Sequence, residues 1–129
     1  MIVDSSALVA LAMHEPTSGA IVTALLDAPR VSISATTWVE ASLVLESRTQ
    51  GALADFLDQF VARFDAQVID LTAEHAREAV VAWRAYGRGN DAARLNYGDC
   101  MAYAVAKVAG EPLLFVGEDF ALTDVEAAL

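Results

Sequence analysis

The chain is poor in the residues that most often announce a chemistry. It holds one cysteine, Cys100, and two isolated histidines, His14 and His75, so it can assemble neither an intramolecular disulfide nor a Cys/His zinc site. Cysteine used this sparingly fits a reducing compartment, and a cytoplasmic protein is expected. The longest uncharged run, Pro16 to Leu26, has eleven residues. Spanning a bilayer takes roughly 20, so no membrane segment is predicted. Asp4 interrupts the amino terminus and no basic region precedes an apolar run there, which argues against a signal peptide. Positive charge is the scarcest feature: Lys107 is the sole lysine, and Lys and Arg total 8 against 18 acids, a net charge of −10. So few cations exclude tight binding of nucleic acid by phosphate neutralisation alone. Two routes remain open, divalent cations held by clustered carboxylates or a basic protein partner. Half of the basic residues, Arg77, Arg84, Arg88 and Arg94, fall within one eighteen-residue stretch.

What is present is apolar and periodic. Over 129 residues the hydrophobic fraction is 56%, enough for one substantial core and one domain, residues 1–129. Met1-Ile2-Val3 reads as a short buried strand that turns through Asp4-Ser5-Ser6 into a helix. After a turn at Glu15–Gly19, a helix over Ala20–Leu26 stops before Pro29. A second strand is predicted over Val31–Ser34, and Thr36-Thr37 opens a helix that runs to Gln50-Gly51. Leu53, Phe56, Leu57, Phe60, Val61 and Phe64 share one helical stripe and are read as core. Gln67–Leu71 is a third strand. A helix then begins at Thr72, with Ala76, Ala79, Val80 and Trp83 on one face and Trp83 expected in the core. The loop Tyr86–Asp91 is broken by glycines but matches neither phosphate-binding glycine pattern. Gly98-Asp99 leads into a small-residue helix that ends at Gly110, and Pro112–Val116 is a fourth strand. Strands alternating with helices make βαβ units, hence an α/β fold: a short, mostly parallel sheet of four or five strands flanked by helices in three layers.

Four acids fall at element ends or in first helical turns: Asp4 after the first strand, Glu40, Asp99, and Asp119 after the fourth strand. In an open α/β sheet such positions can meet in one crevice outside the strand ends. Each also has a structural reading. Asp4 suits a helix cap, Thr37-Trp38-Val39-Glu40 matches a capping box, Asp99 follows glycine as an N-cap would, and Asp119 suits a turn. Gathered carboxylates repel unless protons or cations neutralise them, and all-oxygen ligands select Mg²⁺, with Mn²⁺ possible. The chemistry such a set supports is metal-assisted hydrolysis of a phosphodiester. Asp4 and Asp99, short side chains at a strand end and a helix start, are the expected principal ligands. Glu40 ranks next and Asp119 is accessory.

Met1-Ile2-Val3-Asp4-Ser5-Ser6-Ala7-Leu8, the helical Glu40, the run Leu95-Asn96-Tyr97-Gly98-Asp99-Cys100-Met101-Ala102-Tyr103-Ala104, and Leu113-Leu114-Phe115-Val116-Gly117-Glu118-Asp119-Phe120 together resemble the PIN-domain ribonucleases, and among them the VapC toxins of bacterial toxin-antitoxin pairs. The resemblance spans nearly the whole chain in motif order. It implies a PIN fold and a Mg²⁺-dependent endoribonuclease, with Asp4, Glu40, Asp99 and Asp119 as its acidic quartet and Ser6 orienting the site. It also implies a homodimer inhibited by a basic, VapB-like antitoxin lying across the cleft. Arg84, Arg88 and Arg94 would face RNA. Two other readings compete: a receiver-like phosphoacceptor module using Asp70 at the end of the third strand, and a catalytically silent PIN-like scaffold. Serine at position 6 removes an Asp-x-Asp phosphatase.

Overall fold

The computed structural model describes residues 1–89 and 92–129. Asn90 and Asp91, the end of the glycine-broken loop, lie outside the described residues. Among the described residues four strands, β1 (Ile2–Val3), β2 (Ser32–Ser34), β3 (Gln67–Ile69) and β4 (Leu113–Leu114), form one sheet in the order β3-β2-β1-β4, every pair parallel. Between and beside them run α1 (Ser5–Ala12), α2 (Ser18–Asp27), α3 (Ala35–Thr49), α4 (Phe56–Phe64), α5 (Ala73–Tyr86) and α6 (Tyr97–Ala109). None of the described helices is long and apolar enough to cross a membrane.

Strand alternation divides the core in two. Val3, Ile33 and Leu114 point toward α1, α2, α3 and α4, where Leu8, Ile21, Leu25, Leu45, Leu57 and Phe60 close around them. Ile2 and Leu113 point the other way, onto Ala79 and Ala82 of α5 and Ala102, Val105 and Ala106 of α6. The expected three layers follow from this division. The predicted stripe on α4 packs as expected, with Leu57 and Phe60 buried and Phe60 and Phe64 rings 5.1 Å apart.

The strands are shorter than predicted. Past Leu114 the chain leaves the sheet because the Val116 amide donates to Ser6 Oγ, 3.0 Å away, and not to a strand neighbour. Ser18 and Gly19, expected in a turn, belong to α2. The α5 face also differs from its prediction. Its buried positions are His75, Ala79 and Ala82, while Val80 and Trp83 are 48% and 41% exposed. Alanines let α5 approach α6 closely, which rotates the bulkier Val80 and Trp83 out to the rim. Trp83 is therefore not a core residue.

The chain runs β1, β2, β3 in one direction and returns to the far side of β1 for β4. The order reverses between β1 and β4, the position where open α/β sheets form their ligand crevice. Asp4 leaves β1 and Asp119 follows β4 at this point. β3 is an edge strand separated from β1 by β2, whereas a receiver-like sheet has β3 beside β1. Asp70 thus lacks the neighbourhood a phosphoacceptor needs.

Candidate metal-binding active site

Asp4 is both a cap and a candidate site residue, and its two oxygens differ. As N-cap of α1 it accepts from the Ser6 amide at 2.9 Å and from Ser6 Oγ at 2.6 Å, both through Oδ2. Its Oδ1 is buried and makes no hydrogen bond. Ser6 Oγ in turn accepts from Val116, so one hydroxyl ties the start of α1 to the exit of β4 and fixes the Asp4 rotamer.

Glu40 is free of the capping duty expected for it. Ser34 is the N-cap of α3, accepting from the Thr37 amide at 3.0 Å, so Thr37-Trp38-Val39-Glu40 forms no capping box. Glu40 sits a turn further in, half-buried, with its carboxylate lying against Gly98 of α6. A methyl group built on Gly98 would come within 2.7 Å of its carboxyl carbon and 2.8 Å of Oε2.

Asp99 is likewise not an N-cap. Asn96 caps α6 and accepts from the Asp99 amide at 3.0 Å, while Asp99 Oδ2 accepts from the Asn96 amide at 2.7 Å in a reciprocal capping box. This fixes the Asp99 side chain through one oxygen. Asp119 lies exposed in the turn after β4.

The four carboxylates feel one another. Burial raises the Asp4 carboxyl above the ordinary aspartate range, hydrogen bonds from Ser6 oppose it, and Asp119 adds to the rise. Burial and the Asp4 charge raise Glu40, with Asp99 adding and a Ser5 hydroxyl hydrogen bond opposing. Burial also raises Asp99, with Asp4 and Asp119 adding and the Asn96 amide and the Arg88 charge opposing. Ordinary ion pairing would lower these values. Burial is the largest cause of each rise, and the neighbouring carboxylates add to it.

Among the described residues, no three Asp, Glu, His or Cys side chains stand close enough together to grip an ion. The donor set nevertheless fits a hard cation. It is all oxygen, and the buried Asp4 Oδ1 is an acceptor with no protein partner, a costly state that a cation would relieve. A larger recess of about 1200 Å³ opens at the other end of the strands, lined by Met1, Val31, Gln67 and Pro112, and none of the four acids lines it.

Of the three candidate RNA-facing arginines, all exposed, Arg88 enters the electrostatic surroundings of Asp99. Its backbone is held where the loop closes, by Arg88 N to Leu95 O at 3.0 Å and Leu95 N to Tyr86 O at 2.9 Å. His14 is exposed. His75 is buried, its Nδ1 accepting from the Thr72 amide at 3.1 Å, so it serves the start of α5. The residue that sequence reasoning missed is Gly98. Its place between Asn96 and Asp99 was visible, but its contact with Glu40 joins α3 to α6 and has no sequence signature.

A parallel three-layer sheet with interacting carboxylates at its switch point defines a class of acidic, cation-compatible crevice. The chain belongs to the PIN-domain family, whose profile matches residues 1–126. It is 42% identical over 127 residues to a Ribonuclease VapC of Mycolicibacterium smegmatis, covering 98% of both chains. It is 40% identical over 129 residues to Ribonuclease VapC42 of Mycobacterium tuberculosis, covering 99% of this chain and 98% of the relative. Two solved structures share the fold at low identity. One is the sarcin-ricin loop cleaving toxin VapC20 of Mycobacterium tuberculosis (TM-score 0.74, 19% identity, 96% and 95% coverage). The other is a chain of a toxin-antitoxin complex from Klebsiella pneumoniae (TM-score 0.70, 18% identity, 95% and 92% coverage).

Proposed function

We propose that this protein is a Mg²⁺-dependent endoribonuclease, the toxin of a toxin-antitoxin pair, acting in the cytoplasm. The observation that carries the reading is the buried, unpartnered Oδ1 of Asp4, whose carboxyl is raised together with those of Glu40 and Asp99 by burial and by neighbouring acids. Family membership supplies the reaction class. Asp4 and Asp99 would hold Mg²⁺ or Mn²⁺ with Glu40, and Asp119 would assist. The bound ion would polarise the scissile phosphate and lower the pKa of a water. The chain's own work is positional. Ser6 holds Asp4, Asn96 holds Asp99, and Gly98 leaves room for Glu40. Arg88, with Arg84 and Arg94, offers the positive charge for the RNA backbone. A silent scaffold would have no reason to keep four mutually repelling acids.

The same acidic crevice suits a basic antitoxin segment, whose Arg or Lys would take the place of the cation. Such an encounter is steered by charge and weakens with salt. A second copy of the chain would cover Val39 and Leu43, one turn apart on α3 and 56% and 65% exposed.

The test is cleavage of total RNA by purified protein. Cleavage in Mg²⁺, its loss in EDTA and its recovery with added Mg²⁺ or Mn²⁺ are expected; undiminished cleavage in EDTA would overturn the metal mechanism.

A further inference from the structure

Asp119 is the one exposed member of the four acids, so its place depends on the backbone that carries it. That backbone belongs to a loop, Phe115 to Val125, that leaves β4 and comes back to it. On the way out, the Val116 amide donates to Ser6 Oγ at 3.0 Å. Gly117 then turns the chain with a φ of +105°, in the left-handed region that favours glycine. On the return, Leu113 N donates to Glu126 O at 2.8 Å and Ala128 N to Leu113 O at 2.9 Å, so the tail pairs beside β4. Compact surface loops whose ends lie together and whose own side chains pack inside are frequent carriers of function.

Two anchors hold the interior of this loop. Phe120 is buried, its ring 5.0 Å from that of Phe115, in the core layer that includes Leu95 and Tyr103. Four residues on, the Asp124 carboxylate accepts from the Tyr103 hydroxyl and, at 3.1 Å, from Lys107 Nζ. The backbone between is hydrogen-bonded into turns: Ala121 N donates to Glu118 O at 3.1 Å, Thr123 N to Phe120 O at 3.0 Å, and Val125 N to Thr123 Oγ1 at 3.3 Å. Asp119 sits inside the first of these turns, directly before the buried Phe120. Asp99, Tyr103 and Lys107 follow one another at four-residue steps along α6 and so share one face of it. The stripe that carries Asp99 therefore also carries the groups that grip the loop of Asp119, and the Asp119 charge is felt at Asp99.

We infer that Tyr103 and Asp124 are positioning residues for the fourth carboxylate: their hydrogen bond, with Phe120 in the core, clamps the loop so that Asp119 is presented beside Asp99. The inference rests on the nuclease reading and adds to it what fixes the most exposed of its ligands. Mg²⁺ demands oxygens in nearly fixed positions, and a carboxylate on a loose loop would give up its freedom only on binding. The clamp orders it during folding instead. Tyr103, buried in the core, is the firm end of the clamp, whereas the exposed Lys107–Asp124 ion pair contributes little by itself.

The test uses the full-length protein in Mg²⁺ and compares RNA cleavage by Tyr103→Phe and Asp124→Ala, each with Asp119 present and with Asp119→Asn. With Asp119 present, each should lower kcat about tenfold, the lower end for groups that support metal ligands, and leave KM nearly unchanged. With Asp119→Asn, the same substitutions should change kcat less than about twofold, since the acid they place is gone, while their losses in melting temperature should match in both backgrounds. Asp124→Asn keeps an oxygen for the Tyr103 hydroxyl, so it should recover most of the activity lost in Asp124→Ala despite melting below the parent. Amide hydrogen exchange of the metal-free protein reads the clamp without cleavage: Tyr103→Phe should speed exchange at Ala121, Thr123 and Val125 and leave α1 and α3 unchanged. Equal fractional losses of kcat in the two backgrounds, an unaltered kcat in the single variants, or unaltered exchange overturn the clamp and leave the nuclease reading intact. So does an Asp119→Asn protein that cuts at the parent rate, because the loop would then place no ligand. A wild-type chain that does not cut RNA overturns both.

Discussion

The Glu40 carboxylate rests on the Cα of Gly98, and no other residue type at position 98 leaves it there. This contact joins α3 to the start of α6 and sets Glu40 beside Asp99. Gly98 is the second residue of α6, in its first turn, where glycine costs less than the roughly 1 kcal/mol it costs relative to alanine in a helix interior.

Gly98→Ala is therefore expected to leave stability within about 1 kcal/mol of the parent, since helix propensity gains what the displaced, flexible Glu40 end loses. Cleavage of RNA should fall steeply. Thermal melting beside a cleavage assay checks both, and an active Gly98→Ala protein would show that Glu40 need not stay where it lies.

Because Ser34 caps α3, Glu40→Gln removes a charge without removing a cap. Activity should fall at least about 100-fold, the upper range for residues that merely support metal ligands. Metal-free stability should hold or rise slightly as repulsion from Asp4 and Asp99 is relieved. Unfolding of this variant would return Glu40 to a structural role.

Asp99→Asn and Asp119→Asn should separate principal from accessory ligand. Asparagine at 99 keeps an oxygen for the Asn96 amide, so the start of α6 survives while cleavage is lost. Asp119 is exposed and next to Glu118, so its amide variant should retain measurable activity. Side-by-side cleavage time courses in Mg²⁺ decide the ranking, which equal losses would overturn.

Ser6→Ala deletes one hydroxyl that serves both Asp4 and the Val116 amide. Leaving a partly buried donor unmet should cost about 1–3 kcal/mol, read as a lowered midpoint in urea. Activity should fall as well, because Asp4 loses its 2.6 Å hydrogen bond, and Ser6→Thr should restore part of both.

Away from the crevice, the Tyr103 hydroxyl and then the Lys107 ammonium hold the Asp124 carboxyl below its ordinary value of 3.8. A carboxylate with a lowered folded-state pKa stabilises above its unfolded value, and that contribution is lost as pH falls through the folded one. Asp124→Asn should thus melt below the parent at pH 7, and the gap should close below about pH 4. A gap unchanged at pH 3 would show that the carboxylate charge does not matter.

The linear pattern determined the α/β class and the order of the elements and singled out four candidate acids, because apolar periodicity and residue chemistry are local properties. It placed the acids at strand ends and helix starts, and the reversal of strand order between β1 and β4 then brought Asp4 and Asp119 to one crevice. Which oxygen does which task was decided only in three dimensions. Capping of α3 by Ser34 and of α6 by Asn96 reassigned Glu40 and Asp99, since a cap depends on where the helix axis begins and not on the motif around it. Trp83 moved from expected core to the rim because the alanines of α5 choose their own face against α6. The placement of Glu40 on Gly98 depends on two helices whose residues lie 58 positions apart, and no local rule reaches that far.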